Sequence, residues 1–226
     1  MDLKMVTESM ETIEEEMQYQ GKTVLKFKIE YPRFESARYK RATEKMNTYY
    51  KLRSQAFAAW CRTKLYRQAV EQFIYSKKNK YPIMVYEAVD GYTVTYNKEC
   101  MVSLFNDRYI FSGGAHGNTT RTSDTWDLKS KRRVTAERFF PRGSNYKAYV
   151  QEEIIRQITE QMESGEDIYF DDYVDNVQEN WDSKSYYLTP EGVVFYFQQY
   201  EIAPYSSGIP EFLLPFEKGK VLRPRC

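Results

Sequence analysis

Two periods of hydrophobic and polar positions alternate along this chain. In Thr23 to Phe34 (TVLKFKIEYPRF), Val24, Phe27, Ile29 and Tyr31 alternate imperfectly with charged residues, as in a half-buried strand. Pro32 is expected to end that strand, because proline cannot donate to a ladder. Residues 37 to 77 contain no Gly or Pro. Met46, Tyr49, Leu52, Ala56, Ala59, Tyr66, Val70 and Phe73 recur there at helical spacing, with Thr63 filling the one gap. The pattern predicts one long amphipathic helix, or two with a break. Residues 1 to 20 read as a polar lead-in, at most one loose helix.

After Tyr81-Pro82 the period becomes two. IMVYEAV, YTVTYN, ECMVSLFN and RYIFSG are short and rich in Val, Ile, Tyr and Phe, and are separated by Asp90-Gly91, Asn97-Lys98 and Asn106-Asp107. Those separators are turn residues, so four antiparallel strands are predicted. Two more strands are expected about the turn in RTSDTWDLKSKRRVT, and a short helical turn at AERFFP. A second helix is expected over Asn145 to Glu163, from Tyr146, Val150, Ile154, Ile158 and Met162, closed by Gly165. A short helix around Asp172 to Glu179 and strands in SYYLTP, GVVFYFQQYEI and PEFLLPF complete the pattern. The order predicts an α+β fold with mostly antiparallel sheet, one long N-terminal helix and a second helix near 145–163.

Composition changes this picture in three ways. Aromatic residues reach 16%, led by 21 Tyr, which suits half-buried sheet faces and contact surfaces. Net charge is only +1 but segregated. Thirteen Lys/Arg lie between Arg33 and Lys80, and nine acids with no base lie between Glu160 and Asp182. Both runs are read as solvated faces, with nucleic acid not favoured. Cys61, Cys100 and Cys226 are widely spaced and odd in number, so no disulfide framework is expected and Cys61 and Cys100 are read as small buried hydrophobes. No stretch approaches the roughly 20 apolar residues of a membrane span, and the N-terminus has no apolar signal core. As written the chain is expected in the cytoplasm, or outside the cell if it is part of a longer anchored protein.

Two stretches carry a resemblance: YIFSGGAHGN with TWDLKSKRRVTAERFF (Trp126 to Phe140), and YYLTPEGVVFYFQQYEIAPYSSGIPEFLLPF (Tyr186 to Phe216). Together they resemble the extracellular region of the lysozyme-sensing anti-sigma-V (RsiV) family and the non-catalytic region that precedes the catalytic domain of PdaC-type peptidoglycan deacetylases. The resemblance runs over about residues 22 to 218. It departs from the family pattern where Lys-Ser-Lys replaces a TGK turn and AERFF replaces LxDLF. The sigma-binding segment, transmembrane helix and deacetylase domain of those families are not expected within these 226 residues. It implies a PdaC-type module over 21–118 and an RsiV-like module over 119–226, expected to form one globular body. The function it implies is a non-catalytic binding or sensor domain for a lysozyme-like protein or a peptidoglycan fragment.

The residues themselves point to binding before catalysis. GGAHG holds the only histidine, His116. Gly113, Gly114, His116, Gly117 and Asn118 are candidate contacts for a sugar, carboxylate or protein, and the alternative is a tight structural connection. Tyr205 and Ser206 are candidates for a rim beside that loop, or for a structural corner. One histidine cannot supply the ligand set of a zinc deacetylase, and no cofactor is expected. Ser112, His116 and Asp124 make a triad only on paper, with no nucleophile elbow. A glycan- or peptide-acting hydrolase and a scaffold using the basic helix remain as alternatives.

Overall fold

A computed structural model describes residues 5–165 and 168–226. The first four residues of the lead-in, and Glu166 and Asp167 of the acidic run, lie outside the described residues. Nine strands in two sheets and one 40-residue helix dominate the described fold, which is α+β as expected. The chain divides into two compact units. Among the described residues, one contains 6–92 and 106–120, and the other Met5, 93–105 and those from 121 onward.

In the first unit, β1 (Thr7–Tyr19) pairs antiparallel with β2 (Lys22–Glu35), so most of the lead-in is a strand and not a loose helix. Its two-residue period is masked by carboxylates on the inward side. Glu11 meets Arg33 at 3.5 Å, and Glu15 is gripped by Arg62, whose Nε lies 3.0 Å from both carboxylate oxygens. β2 runs through Pro32, opposite Met10. Its parallel pairing with β3 (Tyr86–Lys98) covers only Leu25 to Ile29, so Pro32 lies on a stretch where one side of the strand has no ladder with β3 to break.

The long helix comprises α1 (Lys40–Trp60), one π-turn over Cys61–Leu65, and α2 (Tyr66–Asn79). Lys80, in the left-handed conformation, ends it. The buried face runs through Met46, Tyr50, Ser54, Phe57, Ala58, Cys61, Leu65, Ala69 and Phe73. Of the stripe expected from the sequence, Met46 and Phe73 lie on it and Tyr66 and Val70 pack half-buried at its edge, whereas Leu52 is 60% exposed. The helix packs Phe57, Ala58, Leu65 and Phe73 against Leu25, Phe27 and Ile29 of β2 and Ala88 of β3. Each such large side chain contributes about 1.5–3 kcal/mol on burial.

The four strands expected after Pro82 are two. β3 continues through Asp90-Gly91, and β4 (Met101–Phe111) through Asn106-Asp107. The turn-forming residues instead bond to groups on the neighbouring strand. Arg108 forks onto Asp90 at 3.2 and 2.9 Å, and Asn106 Nδ2 donates to the Gly91 carbonyl at 2.6 Å. The true turn is Glu99-Cys100, both residues at positive φ.

β5 (Asn118–Asp127) and β6 (Arg132–Arg133) follow, and hydrogen-bonded order in the larger sheet is β1 to β6 in sequence. β3, β4 and β5 each pass from one unit to the other along their length. In the second unit Asp127 Oδ1 accepts the amides of Lys129 and Ser130 at 2.8 and 3.1 Å, which makes the Lys-Ser-Lys turn. A 3-10 turn (Ala136–Phe139) and α3 (Tyr146–Glu163) come next, then α4 (Tyr173–Glu179). β7 (Tyr186–Leu188), β8 (Gly192–Tyr196) and β9 (Glu211–Pro215) form the antiparallel second sheet. Val150, Ile154 and Ile158 of α3 pack on Leu188, Val193, Phe195 and Leu214, while Tyr187, Val194 and Tyr196 meet Phe105 on the other face. Cys100 and Cys226 are disulfide-bonded with Cα atoms 5.3 Å apart, which corrects the expectation that no thiols pair. The fold brings the chain end to the β3–β4 turn, a proximity that spacing along the sequence does not encode.

Candidate functional site

The SGGAHG segment leaves the end of β4 and is pinned at two points. Gly113 and Gly114 have φ of +91° and +93°, which side chains rarely adopt. Gly113 faces the Tyr86 ring and the Met84 sulfur, whereas a methyl at Gly117 would enter the Tyr109 ring. His116 is exposed, and its Nδ1 lies 2.9 Å from the Gly117 carbonyl, donating when that nitrogen carries the proton. Asn118 is exposed at the start of β5.

Beside this loop lies a groove of about 570 Å³ in the same unit, lined by Gln68, Glu71, Gln72 and Tyr75 of α2, Tyr86 of β3 and Ser112. The four helical residues stand at i, i+3, i+4 and i+7, so one polar stripe of α2 forms a wall. The Gln72 amide donates to Ser76 Oγ at 3.2 Å. Burial, and then the charge of Glu71, hold the Tyr86 phenol above its ordinary range, which places that carboxylate near the tyrosine. Tyr75 is 56% exposed, its ring 6.0 Å from that of Tyr81. Ile83, Met84 and Val85, which precede Tyr86 in the chain, are exposed. Aromatic faces beside amide, carboxylate and hydroxyl groups suit a ligand that carries many hydroxyls on an apolar ring skeleton.

The remaining candidates belong to the other unit. Tyr205 is half-buried with its ring 5.9 Å from Tyr200, and Ser206 is exposed. Their corner is structural at its base. The Ile202 carbonyl accepts the Phe170 amide at 3.1 Å, and Asn180 donates to the Glu201 carbonyl at 3.0 Å. Burial holds the Glu201 carboxyl above its usual range. Gln198 of the same motif clamps the main chain of Arg121, accepting its amide at 2.9 Å and donating to its carbonyl at 2.8 Å. The Arg121 guanidinium stacks on Phe105 at 3.8 Å and pairs with Glu211. Asp124 receives Arg133 at 2.9 Å and lies in this unit, whereas Ser112 and His116 lie in the first. In the first unit, burial pushes the Cys61 thiol up to about 12. Among the described residues no group of three or more His, Cys, Asp or Glu is gathered to hold a metal, and no helix is long and apolar enough to cross a membrane.

Sequence reasoning found the glycine loop but missed Gln68, Glu71, Gln72, Tyr75 and Tyr86. The helical spacing of the first four was visible. Only the fold sets them beside Ser112.

Fold and groove together define an α+β protein of two units with a polar-aromatic cleft beside a glycine-rich loop. Its architecture is that of PdaC-like and DUF3298 proteins. Residues 18–119 match the family described as Deacetylase PdaC, and residues 137–217 the family described as Protein of unknown function (DUF3298). A crystal structure of a DUF3298 family member from Bacteroides fragilis superposes with a TM-score of 0.70 at 16% identity, covering 95% of this chain and 92% of that one. A DUF3298 family protein from Pseudomonas aeruginosa gives 0.57 at 18% identity, covering 97% and 95%. Both show the fold alone. None of the curated proteins compared with the chain matches it. The expected PdaC resemblance is met, and the anti-sigma resemblance is compatible with this architecture.

Proposed function

We propose that the protein is a non-catalytic binding domain that takes a cell-wall saccharide in the groove between α2 and the glycine-rich loop. The observation that carries this reading is the convergence of Gln68, Glu71, Gln72, Tyr75, Tyr86 and Ser112 on one cleft of about 570 Å³. That volume is within the range of small-ligand sites, roughly 300–1,000 Å³. Tyr75 would stack on a sugar face while the amides and carboxylate bond its hydroxyls. The Cys100–Cys226 disulfide supports an oxidising compartment, where such a ligand is found.

The test is calorimetric titration with soluble peptidoglycan fragments. Binding is expected, with Tyr75→Ala and Glu71→Gln each weakening it about tenfold, or about 1.4 kcal/mol. Absence of heat, or affinity untouched by Tyr75→Ala, would remove the reading; release of product during titration would replace it with a hydrolase. A second reading is a basic, lysozyme-like protein partner. It draws on the exposed Asp171, Asp172, Asp175 and Glu179, which would steer a cationic surface. Lysozyme in the same calorimeter at two salt concentrations tests it, with binding that weakens as salt rises expected.

A further inference from the structure

The C-terminal tail builds a second cavity, distinct from the groove and contained wholly in the other unit. It measures about 530 Å³. Its floor and walls are apolar: Phe139 and Val221 are almost fully buried, and Leu222 and Pro224 complete them. Cations stand around it. Arg138 is taken by Asp127 at 2.8 Å, and the one lining acid, Glu217, is taken by Lys220 at 3.0 Å. Lys218, Arg223 and Arg225 have no carboxylate partner among the described residues. Arg223 instead rests over the Phe216 ring at 5.0 Å and reaches the Pro190 carbonyl at 3.4 Å. Three cations gathered over an apolar floor repel one another unless an anion joins them, and guanidinium groups match the oxygens of phosphate and carboxylate.

The tail is fastened at two places that bracket these cations. Upstream, the Leu222 amide donates to the Phe139 carbonyl at 2.8 Å, and Glu217 and Val221 bridge to each other. Downstream, Cys226 is joined to Cys100. Arg223, Pro224 and Arg225 lie between the fasteners, so the disulfide holds two of the three unpaired cations at the cavity mouth.

We propose that this cavity binds an anionic amphiphile, an oxyanion head on a short apolar chain, and that the Cys100–Cys226 bond is required to assemble it. The head would sit among Lys218, Arg223 and Arg225, and the chain against Phe139, Val221 and Leu222.

Isothermal titration of the intact protein with hexyl phosphate tests this, with inorganic phosphate and hexanol as partial ligands. Hexyl phosphate is expected to bind at least tenfold more tightly than either. The Arg223→Gln/Arg225→Gln double variant, whose side chains are exposed, should lose at least tenfold in affinity with its unfolding midpoint unchanged. Cys226→Ser should lose a comparable factor, while Lys129→Gln, on the β5–β6 turn, should lose none. Equal affinity for hexyl and inorganic phosphate would overturn the apolar half of the proposal. Unchanged affinity in the double variant would overturn the cationic half, and unchanged affinity in Cys226→Ser the role of the disulfide. Vesicles containing phosphatidylglycerol form the last arm: binding to them without binding to hexyl phosphate would overturn the cavity in favour of a charged surface.

Discussion

A methyl group at Gly117 would enter the ring of Tyr109, and one at Gly192 would enter the Leu214 carbonyl on the neighbouring strand. Neither glycine has positive φ, so both are there for lack of space and not for backbone freedom. The two obstacles differ in how far they can yield. A tyrosine ring can rotate, whereas a carbonyl inside the β8–β9 ladder cannot move without breaking pairing. Gly192→Ala is therefore expected to cost about 1–3 kcal/mol and Gly117→Ala less, measured by urea unfolding of both variants. The sequence displayed both glycines inside recognisable motifs. It did not show what crowds them, because Tyr109 and Leu214 reach them only through the strand geometry.

At the scale of elements, α3 was legible because its apolar positions are large and spaced at i+4, and because Asn145 stands just before them. Asn145 caps the helix, its Oδ1 accepting the Ala148 amide at 3.4 Å. Asn145→Ala is expected to lower stability by about 1 kcal/mol, read as a shift in the urea midpoint with the slope unchanged. The long helix was legible as a helix but not in its facing. Small residues, among them Ser54, Ala58, Cys61 and Ala69, occupy much of its buried stripe, where the helix packs close to β2 and β3. The π-turn at Cys61–Leu65 further shifts the register between the halves. β3 and β4 were misread as four strands because Asp90, Gly91 and Asn106 favour turns when considered singly. In the fold Arg108 satisfies Asp90 and Asn106 satisfies Gly91 across the ladder, which removes the reason to turn.

At the scale of the molecule, each unit is assembled from separated stretches of chain, with residues 93–105 joined to 121–226. The disulfide lies inside that second unit and spans 126 positions. Such a cross-link typically stabilises by about 2–4 kcal/mol, chiefly by restricting the unfolded chain. Cys226→Ser is expected to lower Tm by roughly 5–15 °C, measured by calorimetry against the untreated protein. Reduction of the native protein should reproduce that shift, and Cys61, buried inside the helix, should remain unlabelled by thiol reagents until unfolding.

Local periodicity determined a good deal of this protein by itself: an α+β class, the existence of both main helices, the short turns at Ala136 and Lys129, and the strands that close the chain. Those features are set by neighbours a few residues apart, and neighbours are what a sequence displays. The tertiary structure alone decided the rest. It turned the acidic lead-in into β1 by pairing Glu11 and Glu15 with arginines. It set the helix face by the closeness of a sheet, and brought Cys226 to Cys100. It also placed the stripe of Gln68, Glu71, Gln72 and Tyr75 beside Ser112. Each of these depends on groups far apart in sequence meeting in space, and burial or pairing at that distance leaves no local period to read.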